Sequence, residues 1–224
     1  MTTDFFMKRR WYMLFTAILL AGIFSFSYYA YYIARAEFVW VGKRFYFLVS
    51  SDSHVEAATH ITRLEGGAGY LLADGEGEYT AYSVYLSDDI AHAVQTNMQE
   101  TAQLVEKQVD YLVFKGRNKR LAAFYSGALS GLYGCIDVLS QSISKLEGGM
   151  LQQTCKRLLT ILEKQFGYMA NAYQNEYPIF SQTCKTLREN LGKIISDVVF
   201  CRDLRYLLCM ACDTYVQLSS EFVL

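Results

Sequence analysis

The side chains able to do chemistry in this chain are few, and their spacing does not assemble a reaction centre. Its three histidines are His54, His60 and His92. His54 and His60 stand six residues apart, so on a helix they do not share a face as ligands at i and i+4 would. Cys209 and Cys212 make a C-x-x-C, but the surrounding Leu-Leu-Cys-Met-Ala-Cys reads as helix interior. No second C-x-x-C or histidine pair completes a zinc set, so these thiols are expected to be small core residues with no metal bound. Asp88 and Asp89 suit the first turn of a helix, where carboxylates meet the positive end of the dipole. Gly66-Gly67-Ala68-Gly69 lacks the lysine of a phosphate loop, and Glu76 and Glu78 fall in a turn. No nucleophile elbow, zinc-protease helix or dinucleotide fingerprint is present. An enzyme is therefore not expected, and neither is a cofactor.

The element that positions everything else is the run at residues 11–34, WYMLFTAILLAGIFSFSYYAYYIA, which carries no charge and no proline. Its length matches a helix crossing a hydrocarbon core of ~30 Å at ~1.5 Å per residue. Lys8, Arg9 and Arg10 precede it, whereas only Arg35 follows closely, which predicts a cytoplasmic N-terminus and an extracytoplasmic remainder. Tyrosines and Trp11 at the two ends resemble interfacial belts. A cleaved signal peptide, with Ala34-Arg35-Ala36 as its site, and a buried core helix are the competing readings. The expected plan is α+β: a cytoplasmic tail at 1–10, a single transmembrane helix at 11–34, a sheet domain at 43–115 and an all-α bundle at 118–224.

A net charge of -1 gives no electrostatic reason to expect nucleic acid. One proline in 224 residues argues against a many-turned sandwich or a proline-rich stalk. All six cysteines (Cys135, Cys155, Cys184, Cys201, Cys209, Cys212) fall in the C-terminal half; an even count outside the membrane permits disulfides without defining them.

Residues 37–43 read as a brief juncture. Phe45-Tyr46-Phe47-Leu48-Val49 then forms a first strand, and Ser53 with Glu56 makes a capping box for a helix carrying Val55, Ala58, Ile61 and Leu64. Tyr70-Leu71-Leu72 is a second strand, and Asp74-Gly75-Glu76-Gly77 turns it into a third at 79–86. Ser87-Asp88-Asp89 caps a helix with Ile90, Val94 and Met98 on one side, and 109–114 is the fourth strand. The order β-α-β-β-α-β predicts a four-stranded antiparallel sheet with both helices on one face.

This arrangement resembles the SPOR domain, a septal peptidoglycan-binding module. The resemblance rests on Phe45-Tyr46-Phe47-Leu48-Val49-Ser50-Ser51 followed by Val55-Glu56-Ala57-Ala58, and on Tyr82-Ser83-Val84-Tyr85-Leu86-Ser87 followed by Ala91 and Ala93. The glycine such domains usually carry after each of these strands is absent here. The resemblance implies recognition of peptidoglycan glycan strands at a division or sporulation septum.

Strand parity names the residues that would face a ligand. With Phe47, Val49, Tyr82, Val84 and Leu86 toward the two helices, the open face carries Tyr46, Leu48, Ser50, Tyr79, Ala81, Ser83 and Tyr85. Tyr46, Tyr79 and Tyr85 could stack on sugar rings. In the competing arrangement the C-terminal helices cover these aromatics.

Beyond Asn118 the chain is helical. Leu121, Tyr125, Leu129, Leu132, Ile136, Leu139, Ile143 and Leu146 form one stripe. A second runs from Leu151 to Tyr173, and a third follows Pro178, with a break near Phe200. Short connections predict an antiparallel three- or four-helix bundle, with coiled-coil self-association as the rival. The functional expectation is a single-pass plasma-membrane protein whose outer module binds peptidoglycan. The alternative is an extracytoplasmic scaffold for envelope proteins, without glycan binding.

Overall fold

The computed structural model describes residue 25 and residues 37–50, 55–74, 77–98, 102–114 and 119–220. Apart from residue 25, the apolar run at 11–34 lies outside them, as does the capping Ser53. The protein is α+β. Strands β1 (Glu37–Ser50), β2 (Tyr70–Asp74), β3 (Gly77–Tyr85) and β4 (Ala102–Phe114) form one antiparallel sheet in the order β2-β3-β1-β4. Helix α1 (Val55–Leu64) joins β1 to β2, and α2 (Asp88–Met98) joins β3 to β4. This is the split β-α-β arrangement expected from the element order.

Two strands are longer than their sequence suggests. The expected juncture at 37–43 is strand, because Val39 and Leu112 oppose each other and bury against the core. β4 begins at Ala102 rather than 109, pairing with β1 as far as Ser50. A bulge between Trp40 and Lys43 bends β1 at Gly42, whose φ of +56° suits glycine. The α1 stripe also turns out differently. Ile61 and Leu64 are exposed, while Ala58 and Thr62 are buried and Thr59 meets Thr80 of β3.

Four helices follow: α3 (Lys119–Glu147), α4 (Gln152–Ala172), α5 (Pro178–Ser196) and α6 (Cys201–Ser220). Gly149 in the left-handed region closes α3, and Pro178 opens α5 at a position that needs no backbone donor. Each helix runs antiparallel to the next, so Phe124 meets Tyr173 and Cys135 meets Gln165 across α3 and α4. α3 closes the ring against α6 through Tyr133 and Tyr215. Gln152 fastens the bundle's far end, donating to the Val199 carbonyl at 2.9 Å and accepting from its N–H at 3.1 Å. By length and composition α3 would be apolar enough to cross a membrane; Leu129, Leu132, Ile136 and Leu139 are buried in the bundle, and 33% of its apolar window is buried in all.

The bundle and the sheet share one core. α6 lies across the sheet face opposite α1 and α2, and it is buried on almost every side, from Leu204 to Ser219. Under it sit Phe45, Phe47, Leu72 and Leu112, each at 0% exposure. Leaving those four in water would forfeit roughly 6–12 kcal/mol, at ~1.5–3 kcal/mol each, which rivals the whole stability of a domain. The sheet therefore has no bare face along its middle.

Candidate functional site

Of the seven residues expected to line an open sheet face, Ala81 is buried in the main core and the other six are divided between two layers. Tyr46, Leu48 and Ser50 of β1 face the α1/α2 side, opposite Tyr85, Ser83 and Ala102. Leu48 is fully buried there with Tyr82 and Ala102, and Val94 and Met98 of α2 close over them. Tyr46, Ser50 and Ser83 are buried, and Tyr85 is half-buried, with desolvation lifting its phenol above the ordinary range. Tyr79 lies apart, half-buried against the main core opposite Leu72. Five of the six thus meet inside the protein, and the open aromatic face inferred from parity is filled from within. Part of the reason is a bulge: Leu48 opposes Ser83 but Val49 opposes Ala81, so Tyr82 is an extra residue and alternation reverses there.

The most concentrated chemistry lies where α6 crosses the sheet. Lys107 of β4 and Asp213 of α6 form an ion pair at 3.0 Å, with side chains only 12% and 5% exposed. The Lys107 ammonium also donates to the Ala73 carbonyl at 2.9 Å and lies 5.8 Å from the Phe47 ring centre. Tyr70 of β2 donates to the other Asp213 oxygen at 3.0 Å, and Gln217 donates to it at 2.9 Å. Burial and the adjacent carboxylate push the Tyr70 phenol far above its ordinary value. The charged groups of this junction are paired with one another and with Tyr70, Gln217 and the Ala73 carbonyl, so it fixes the sheet on the bundle.

Comparison with known proteins finds no family model, no curated protein and no solved structure that matches this chain.

Among the described residues, shallow hollows open outward beside the helices. A groove of about 530 Å³ between α5 and α6 is lined by Pro178, Ile179, Leu187 and Met210 together with the polar Gln182, Thr183, Thr186 and Thr214. A smaller hollow of about 270 Å³ runs between β1 and α3, where the Lys43 ammonium sits 3.7 Å above the Tyr133 ring. Trp40 lines this hollow as well and opposes Tyr111 across β1 and β4, ring centres 4.7 Å apart and edge to face. They are 64% and 51% exposed.

His60 and His92 are exposed on α1 and α2, and His92 lies 3.2 Å from Asp88 one turn earlier; His54 is outside the described residues. Among the described residues no group of three His, Cys, Asp or Glu is placed to hold a metal. All six cysteines are free thiols, and only Cys201 is not buried. Burial pushes Cys184 up to about 12 and Cys209 and Cys212 higher than a thiol's ordinary value, so they are inert. Sequence reasoning passed over Asp213. Its signal was a carboxylate directly after the apolar Leu-Leu-Cys-Met-Ala-Cys, a place that requires a buried cation.

Proposed function

We propose that this chain is a single-pass membrane protein of the cell envelope whose outer part serves as a scaffold for other envelope proteins. The observation that carries this reading is the covering of the sheet by α6, with Phe45 and Phe47 at 0% exposure. That contact uses the surface a glycan-binding sheet would present and, among the described residues, leaves the shallow α5–α6 groove facing outward. A shallow groove of mixed aliphatic and hydroxyl-bearing residues resembles the make-up of a protein–protein contact. The membrane placement rests on the run at 11–34 and its basic flank. The resemblance of residues 43–115 to SPOR modules supports an address in the envelope.

The test uses the full chain. After cross-linking in intact cells, it should be recovered in a discrete complex, and Ile179→Glu with Thr183→Lys should abolish that complex while circular dichroism stays unchanged. Detergent-solubilised protein should remain in the supernatant when purified sacculi are pelleted. Co-sedimentation that Tyr46→Ala abolishes would replace the scaffold with wall binding.

A further inference from the structure

The geometry points to Cys155 and Cys201 as a thiol pair that closes into a disulfide, stapling the start of α4 to the start of α6. The inference stands apart from the location of the chain and needs only an oxidant of the disulfide class.

Position is the first support. Cys155 lies in the first turn of α4, and Cys201 opens α6. These two turns are tied together. The Gln152 side chain, three residues before Cys155, donates to the Val199 carbonyl at 2.9 Å and accepts from its N–H at 3.1 Å, two residues before Cys201. Helix positions three apart share a face, so Gln152 and Cys155 address the same neighbour. A second fastening stands on the other side of Cys201. Arg205, one turn further along α6, pairs with Glu147, the last residue of α3. Cys201 is therefore held between two tied points, 199 and 205, whose partners at 152 and 147 both belong to the corner that leads into Cys155. Disulfide closure tolerates only ~4.4–6.8 Å between Cα atoms, so it is confined to places where two elements are fastened in this way.

Exposure is the second. Cys155 is wholly buried, whereas Cys201 is partly open to solvent. Burial lifts the Cys155 thiol above its ordinary value and the Cys201 sulfur adds to the rise, so the two groups sense each other. An accessible thiol beside a buried one suits exchange, in which the first meets the oxidant and the second resolves it. Cys209 and Cys212 are also near neighbours, but both are at 0% exposure, out of reach of any oxidant.

The chemistry balances without a metal. The Cys201 thiolate attacks one sulfur of a disulfide oxidant, forming a mixed disulfide and expelling one thiolate, which takes up the proton Cys201 released. The Cys155 thiolate then attacks the Cys201 sulfur and expels the second thiolate, which is protonated in turn. Two protein thiols lose two electrons and two protons, and one oxidant disulfide becomes two thiols.

The test incubates the detergent-solubilised full chain with oxidised glutathione, then denatures it and alkylates it with a polyethylene-glycol maleimide. Two of the six thiols should escape alkylation, and peptide mapping should show Cys155 joined to Cys201. The urea midpoint should rise by roughly 1–2 M over the reduced protein, as expected for a cross-link closing a loop of this length. Cys201→Ala changes a side chain outside the core, so its reduced midpoint should match the wild type; oxidation should then protect no thiol and shift no midpoint. Full alkylation of the oxidised wild type, glutathione retained on Cys201 while Cys155 still reacts, or a link between other cysteines would overturn the assignment.

Discussion

Asp213→Ala is expected to be among the most damaging single changes in this protein. The substitution leaves the Lys107 ammonium 12% exposed, with only the Ala73 carbonyl and the Phe47 ring for company, and strips Tyr70 of its acceptor. Breaking a buried ion pair from one side costs about 3–5 kcal/mol, because the surviving charge stays desolvated. With a urea slope of roughly 2 kcal/mol/M for a body of this size, the midpoint should fall by about 1.5–2.5 M. Gln217 is exposed and can turn to water, so it adds little. The informative comparison is Lys107→Met with Asp213→Leu and Tyr70→Phe, which removes both charges and the orphaned hydroxyl together. That triple variant should recover most of the loss, since well-packed apolar groups often replace a buried pair without penalty. Urea unfolding followed by far-ultraviolet circular dichroism on the detergent-solubilised full chain measures both. A midpoint shift under about 0.5 M for Asp213→Ala, or a triple variant no better than the single one, would show that the pair is solvated and that the junction holds nothing together.

Alkaline stability is the second expectation. Thiols of the unfolded chain ionise near 9, whereas burial keeps Cys184 protonated up to about 12 and holds Cys209 and Cys212 protonated as well. The unfolded state therefore binds fewer protons above that point. Stability should be flat below pH 9 and then fall by about 1.4 kcal/mol per pH unit for each such thiol, which urea midpoints across the range would register; no decline would contradict the burial. Gly42→Ala should cost ~1–2 kcal/mol for its left-handed backbone and dislodge the indole beside it. Gly134→Ala, with nothing within 4 Å of its new methyl, should stabilise α3 by up to ~1 kcal/mol.

The element order was legible because its punctuation is local. Asp74 and Gly77 bracket a two-residue hairpin, the acidic pair at 88 and 89 opens α2, and Gly149 and Pro178 mark helix ends. The facing of the central strand was not legible from parity. Phe45, Tyr46, Phe47, Leu48 and Val49 are all buried, so β1 carries no alternation from which to choose a side. An unbroken apolar run is itself the mark of a strand covered on both faces, and it forecasts the helix that lies over it. The bulges at Gly42 and Tyr82 then shifted the count by one in ways that spacing does not reveal. The Lys107–Asp213 pair joins positions 106 apart and was invisible to any local window.

Because α6 is the lid on the sheet, synthesis meets a timing problem. Cys201 leaves the ribosome 87 residues after Phe114, a lag of roughly 4–17 s at 5–20 residues per second. Throughout that interval α6 is missing from above Phe45, Phe47, Leu72 and Leu112, and α3 supplies only Tyr133 against Phe45 and the neighbours of Leu112. The newborn chain is then most vulnerable to misassociation, and a chaperone that shields nascent strands would matter more to it than to a module that closes on itself.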